Sequence, residues 1–197
     1  MIVLRGTIKA FELIRARTGK EELLMERLMK LPEVEETHLL AGKFDVLATL
    51  VFEDQPVDPR EQMLSVVTGK IRKMPLVKDT STIVPAMSHV REVHLTHPER
   101  RAYAFVFMST KLGKEQDVMN EVLKYDEVAE SHLLLGKSDV LAVLHFEKGI
   151  TPSVPERVAR IVTEKIAKIG DMVETQTICP LRSIIKPQAQ SDRVNRS

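Results

Sequence analysis

Two short segments of this 197-residue chain carry chemistry-bearing residues in the same order: Gly42-Lys43-Phe44-Asp45 and Gly136-Lys137-Ser138-Asp139. Glycine permits positive φ and lets backbone N–H groups face a ligand. Such amides could hold a carboxylate while Asp45 or Asp139 accepts from an ammonium, a combination suited to an amphoteric small molecule. Lys43 and Lys137 could draw an anion towards the same place. The plainer alternative is turn chemistry, with Gly42 making the turn and Asp45 capping its own loop amides. Only the first segment offers a ring, Phe44, to cover an apolar ligand side chain. A second set pairs Glu36 with His38 and Glu130 with His132. Residues at i and i+2 share one strand face, so these side chains could form a metal site or a general acid–base pair. They could equally be polar hydrogen bonds kept from a duplication.

Other residues carry less. His89, His94 and His97 fit no standard zinc spacing and read as solvated linker histidines. Cys179, in Thr177-Ile178-Cys179, reads as a small buried hydrophobe. As the single Cys of the chain it excludes an internal disulfide and suits a reducing compartment. Gly-rich phosphate signatures are absent, and no Ser-His-Asp order can be argued. Neither a metal nor another cofactor is expected.

The elements that position these residues are read from an internal repeat. Residues 34–53 and 128–147 are identical at 14 of 20 positions at an offset of 94, which lengthens to 95 beyond Val162. Such a period marks a duplicated domain rather than a solenoid. In each copy the pattern predicts strand, helix, strand, tight connection, strand, helix, strand. In the first copy the elements fall at 9–17, 20–31, 34–40, 45–52, 60–74 and 77–84. Leu23, Leu24, Leu28 and Leu31 form the first helical stripe, and Met63, Val66, Val67, Ile71 and Met74 the second. The order β-α-β-β-α-β is the ferredoxin-like split unit. Its strands are apolar on both faces, so the two copies are expected to pack sheet against sheet as a barrel-like α+β sandwich. The expected organisation is a first repeat at 1–87, a polar linker at 88–101, a second repeat at 102–185 and a polar tail at 186–197.

The hairpin Gly42-Lys43-Phe44-Asp45-Val46-Leu47, with Val34 and Glu36 before it and Thr82-Ile83-Val84 closing the unit, resembles the effector-binding domain of the Lrp/AsnC (feast/famine) regulators. This module is also called the RAM domain. Gly136-Lys137-Ser138-Asp139-Val140-Leu141 keeps the Gly and the Asp of that pattern, with Ser138 in place of the aromatic residue. The resemblance covers most of 7–87 and 101–184. It implies a dimeric α/β barrel, ring-like higher oligomers, and amino acids or related effectors bound near the hairpin at subunit interfaces. Family transcription factors carry a helix-turn-helix domain before the first strand. Here that strand is expected from Lys9, so the chain resembles stand-alone effector domains in tandem.

Composition narrows the function classes. Hydrophobic residues at 43% and charged residues at 29% rule out wholesale disorder. A net charge of +1 gives no basic field for a nucleic-acid backbone, so direct DNA binding is not expected. No apolar run is long enough to span a membrane, and no signal peptide is apparent, so a cytoplasmic protein is expected. The leading expectation is a non-enzymatic module that senses an amino-acid-like effector and forms homo-oligomers. The competing readings are an enzyme on a dimeric α/β barrel, monooxygenase-like or haem-related and using His38 and His132, or a structural partner of full-length Lrp-like regulators.

Overall fold

The computed structural model describes residues 7–53, 58–91, 100–149 and 152–186. The first repeat comprises β1 (Thr7–Ala16), α1 (Glu21–Leu28), β2 (Val34–Leu39), β3 (Val46–Glu53), α2 (Pro59–Leu64) and β4 (Val77–Ile83). A π-helical segment, Ser65–Ile71, continues α2. A short strand, β5 (Met87–Val90), follows. The second repeat comprises β6 (Arg101–Thr110), α3 (Glu115–Val122), β7 (Val128–Leu133), β8 (Val140–Glu147), α4 (Val154–Glu164) and β9 (Met172–Ile178), with β10 (Arg182–Ile185) last. A 3-10 turn, Ile166–Lys168, ends the α4 segment.

Two five-stranded antiparallel sheets result, ordered β10-β2-β3-β1-β4 and β5-β7-β8-β6-β9. Each repeat therefore gives its last strand away: β5 completes the second sheet and β10 the first. This corrects the expected 88–101 linker, which opens inside a strand. Four residues, Met-Ser-His-Val, are too few to show a period of two. Residues 92–99, including His94 and His97, and 187–197 lie outside the described residues. The exchange is fastened chemically. Arg91, just after β5, donates to the carbonyls of Leu123, Tyr125 and Val128. Lys186, the matching position after β10, donates to those of Leu31 at 2.6 Å and Pro32 at 3.1 Å. Each cation thus meets the carbonyl-rich turn that follows a helix, where positive charge is favoured.

Three cores form. Two lie between helices and sheet, one in each repeat. The third lies between the sheets and joins Phe11, Leu13, Leu40 and Leu47 of the first repeat to Tyr103, Phe105, Phe107, Leu134 and Leu141 of the second. The two repeats therefore pack sheet against sheet as expected. On α1 the buried side chains are Leu24, Met25 and Leu28, whereas Leu23 is 41% exposed. The helix is rolled slightly from the leucine stripe, because Met25 fills the core as readily as Leu.

One core position breaks the pattern. Glu12 alternates with Ala10 and Ile14 on the helix-facing side of β1, is fully buried, and neither carboxylate oxygen has a hydrogen-bond partner. Burial raises its pKa, opposed by the nearby hydroxyls of Thr82 and Thr80, which fall short of hydrogen-bond geometry, and by the Arg72 charge. Its counterpart in the second repeat is Val106, a core residue. Leaving a buried polar group unpaired costs on the order of 1–3 kcal/mol. Glu12→Val is therefore expected to stabilise the chain by about that amount at neutral pH. Urea denaturation measures it, and a destabilised variant would show that the carboxylate has a structural task.

Candidate functional site

The two hairpins are built alike. Leu40 N–H donates to the Asp45 carbonyl at 2.8 Å, and Asp45 N–H to the Ile14 carbonyl at 2.9 Å. Asp45 Oδ2 accepts from Ala16 N–H at 2.8 Å. In the second repeat Leu134 N–H donates to the Asp139 carbonyl at 2.7 Å, and Asp139 N–H to the Met108 carbonyl at 2.8 Å. Asp139 Oδ2 accepts from Thr110 N–H at 2.8 Å. Each aspartate therefore fastens its hairpin to the end of a neighbouring strand, instead of capping its own loop amides. For Asp45, Oδ1 has no such role.

The loops then diverge. Gly42 has φ +145°, a conformation side-chain-bearing residues rarely adopt, whereas Gly136 is not among the positive-φ glycines. Ala41, Gly42 and Lys43 are exposed. Phe44 turns inward against the core between the sheets, and Lys43 Nζ lies 5.5 Å from its ring centre. Phe44 therefore supports the loop from beneath. In the second loop Leu135 is 82% exposed.

A second constellation lies between the sheets. Lys9 Nζ donates to both carboxylate oxygens of Glu130 at 2.7 Å. Tyr103, the residue equivalent to Lys9, donates its hydroxyl to Glu36 Oε1 at 2.8 Å. Each repeat thus reaches across to the other's glutamate, once with an ammonium and once with a phenol. His132 Nε2 is 2.9 Å from Glu130 Oε2, and its Nδ1 is 2.9 Å from Ser88 Oγ. His38 Nε2 is 3.3 Å from Glu36 Oε2, and its Nδ1 is 2.9 Å from Ser183 Oγ. The serines come from the exchanged strands β5 and β10.

The electrostatics follow from these contacts. Burial alone would raise the Glu130 pKa, but Lys9 and His132 outweigh it and hold the carboxyl well below its usual range. Burial likewise opposes ionisation of Glu36, yet His38, Lys9 and Tyr103 bring its pKa below the ordinary value. Lys9 is desolvated, but Glu130 and Glu36 more than compensate and its pKa rises. Burial and the Glu36 charge push the Tyr103 phenol up. Burial lowers His132 despite Glu130.

The Glu36/His38 and Glu130/His132 pairs proposed from sequence are thus real pairs, but both nitrogens of each imidazole are engaged. Among the described residues no three His, Cys, Asp or Glu side chains gather as metal ligands. Lys9, Tyr103, Ser88 and Ser183 escaped the sequence reading. The available signal was a lysine and a tyrosine at matched positions of two apolar strands, and serines matched at an offset of 95. His89 is not a free linker residue: it sits on β5, opposite Ser131. Cys179 is half-buried against the second repeat's helix-side core. A cavity of about 500 Å³ opens beside α3 and the end of α4, lined by Asp117, Tyr125, Lys165 and Asp171. Another, of about 390 Å³, adjoins it near Arg157 and Arg160. Both lie on the helical side, away from the hairpins and the buried histidines. No helix among the described residues is long and apolar enough to cross a membrane.

Residues 9–95 match the Lrp/AsnC ligand binding domain family. No curated protein sequence matches the chain. Among solved structures, FFRP-DM1 is 34% identical over 39% of this chain and 96% of its own, with a TM-score of 0.35. The siroheme decarboxylase NirDL is 11% identical over 90% of this chain and 72% of its own, with a TM-score of 0.61. A monooxygenase candidate from Lactobacillus acidophilus NCFM is 8% identical over 92% of this chain and 97% of its own, with a TM-score of 0.57. The last two likenesses span both repeats and establish the shared fold: two ferredoxin-like units facing each other as in a dimeric α/β barrel.

Proposed function

We propose, from the premise that this chain belongs to the Lrp/AsnC ligand-binding domain family, that it is a non-enzymatic sensing and assembly module for an amino-acid-like effector. The observation that carries this reading is the first hairpin, within the matched region. Asp45 anchors it, Phe44 supports it from beneath, and Gly42 and Lys43 stand outside. An effector carboxylate would meet the loop amides and Lys43, and its ammonium would meet Asp45 Oδ1. A second copy of the chain, or a full-length Lrp-like regulator, would supply the other wall. Binding would then favour the assembled state by differential affinity. The engaged imidazoles of His38 and His132 support a non-catalytic reading, and the net charge of +1 supports action without direct DNA contact.

Calorimetry against the twenty common amino acids, with light scattering of the same samples, tests the reading. At least one should bind and raise the mass above the 22.3 kDa of a single chain. Asp45→Asn keeps an acceptor for Ala16 N–H but removes the charge, and should weaken binding about tenfold or more. Asp139→Asn should matter less. Equal losses would refute the asymmetry between hairpins, and no loss in either variant would return both loops to turn chemistry alone.

A further inference from the structure

The far end of β6 from the hairpin holds an unassigned set of side chains. Tyr103 pairs with His145 across β6 and β8, and Arg101 lies two residues before Tyr103 on the same face. The Tyr103 and His145 rings meet edge-on with centres 4.8 Å apart. Arg101 Nε and His145 Nε2 are both shielded from solvent, and neither has a hydrogen-bond partner. Buried orphan nitrogens are uncommon, and each calls for an acceptor or a functional reason. Glu36 is engaged by Tyr103 and His38, Glu130 by Lys9 and His132, and Glu147, paired with Arg101 across β6 and β8, makes no hydrogen bond to Arg101 Nε.

The duplication sharpens the observation. The matching positions of the first repeat are Thr7, Lys9 and Val51. Lys9 and Tyr103 already serve matching structural roles, but the second copy alone carries Arg and His where the first has Thr7 and Val51. Arg101 Nε–H and His145 Nε2–H, in the tautomer that protonates this nitrogen, are two donors with a guanidinium charge beside them. That arrangement suits a carboxylate, whose two oxygens accept in parallel. Because both nitrogens are shielded, only a compact molecule reaching them by small side-chain movements fits.

We propose that Arg101 and His145 form a second binding site, for a small free carboxylate, at the opposite end of β6 from the hairpin. The second hairpin meets β6 at Met108 and Thr110 through Asp139, so that hairpin and this site are separated by roughly 23–30 Å at 3.3 Å per residue.

Titration of the full chain with acetate and with pyruvate at constant ionic strength, followed by histidine ¹⁵N-edited NMR in the parent and by calorimetry in the parent and every variant, tests it. Saturable movement of the His145 signals is expected with at least one of the two. His145→Val and Arg101→Thr install the residues of the first repeat and should each weaken binding about tenfold or more. Asp45→Asn should leave it unchanged. No saturable movement with either probe, or unaltered binding in His145→Val, would overturn the proposal and leave the two nitrogens to water.

Discussion

Lys9→Met is expected to destabilise the chain by about 3–5 kcal/mol, because it leaves the Glu130 carboxylate buried without its counter-charge. Glu130 keeps only 10% of its side-chain exposure, and Lys9 only 17%, so solvent cannot replace the lost partner. The remaining partner, His132, is an imidazole whose ionisation burial opposes. The equivalent contact of the other repeat is weaker by design of its chemistry. Tyr103→Phe removes one hydrogen bond to Glu36, which is 18% exposed and retains His38. Its cost should be nearer 1.5–3 kcal/mol, about that of a hydrogen bond to a charged group. Replacing both members of the first pair, as Lys9→Met with Glu130→Leu, should recover most of the loss, since an apolar pair avoids desolvation altogether. Urea denaturation of the three variants decides it. A Lys9→Met variant as stable as the parent would mean that water enters between the sheets and screens Glu130.

The same contacts explain what a reader of the sequence can and cannot see. Strands, helices and hairpins repeat at an offset of 94, so the β-α-β-β-α-β order and the facing sheets follow from pattern and from apolar surface needing cover. The Glu and His pairs follow from the period of two. The exchange of β5 and β10 does not, because Met87-Ser88-His89-Val90 is a short polar strand whose partner lies in the other repeat. Lys9 and Tyr103 were hidden for a related reason. Each satisfies a glutamate that is distant in sequence, and a lone lysine in an apolar strand does not say what it meets. Asp45 stands out in the sequence as a candidate, but its bond to Ala16 N–H depends on the neighbouring strand. His145 replaces Val51 of the first repeat, and this departure from the duplication was the clue that could have singled it out.

That departure has a consequence in acid. Burial, reinforced by the Arg101 charge, lowers the His145 pKa to about 4 from an ordinary 6.5, against the smaller opposing pull of Glu130 and Glu36. Lys9 adds to the lowering. A histidine depressed in the folded state is protonated first in the unfolded chain. Between these two values the unfolded state therefore binds more protons, and stability falls as pH falls. Complete passage through the window removes up to about 3 kcal/mol at 1.36 kcal/mol per unit. His132, lowered mainly by burial, acts with the same sign. Glu130 and Glu36 add a further loss as pH falls below the ordinary carboxyl value of 4.5, because the unfolded chain then takes up protons while their depressed native pKa values keep them ionised. Glu12 works in the opposite direction, since a raised carboxyl pKa favours the folded state in acid. Thermal melts at steps from pH 7 to pH 4 should show a steady fall for the parent chain. His145→Val, which installs the residue of the first repeat, should flatten that fall and leave the variant the more stable of the two near pH 4.5. Parallel curves would mean that His145 reaches solvent in the folded state and titrates as an exposed histidine. The acid sensitivity would then belong to His132, Glu130 and Glu36.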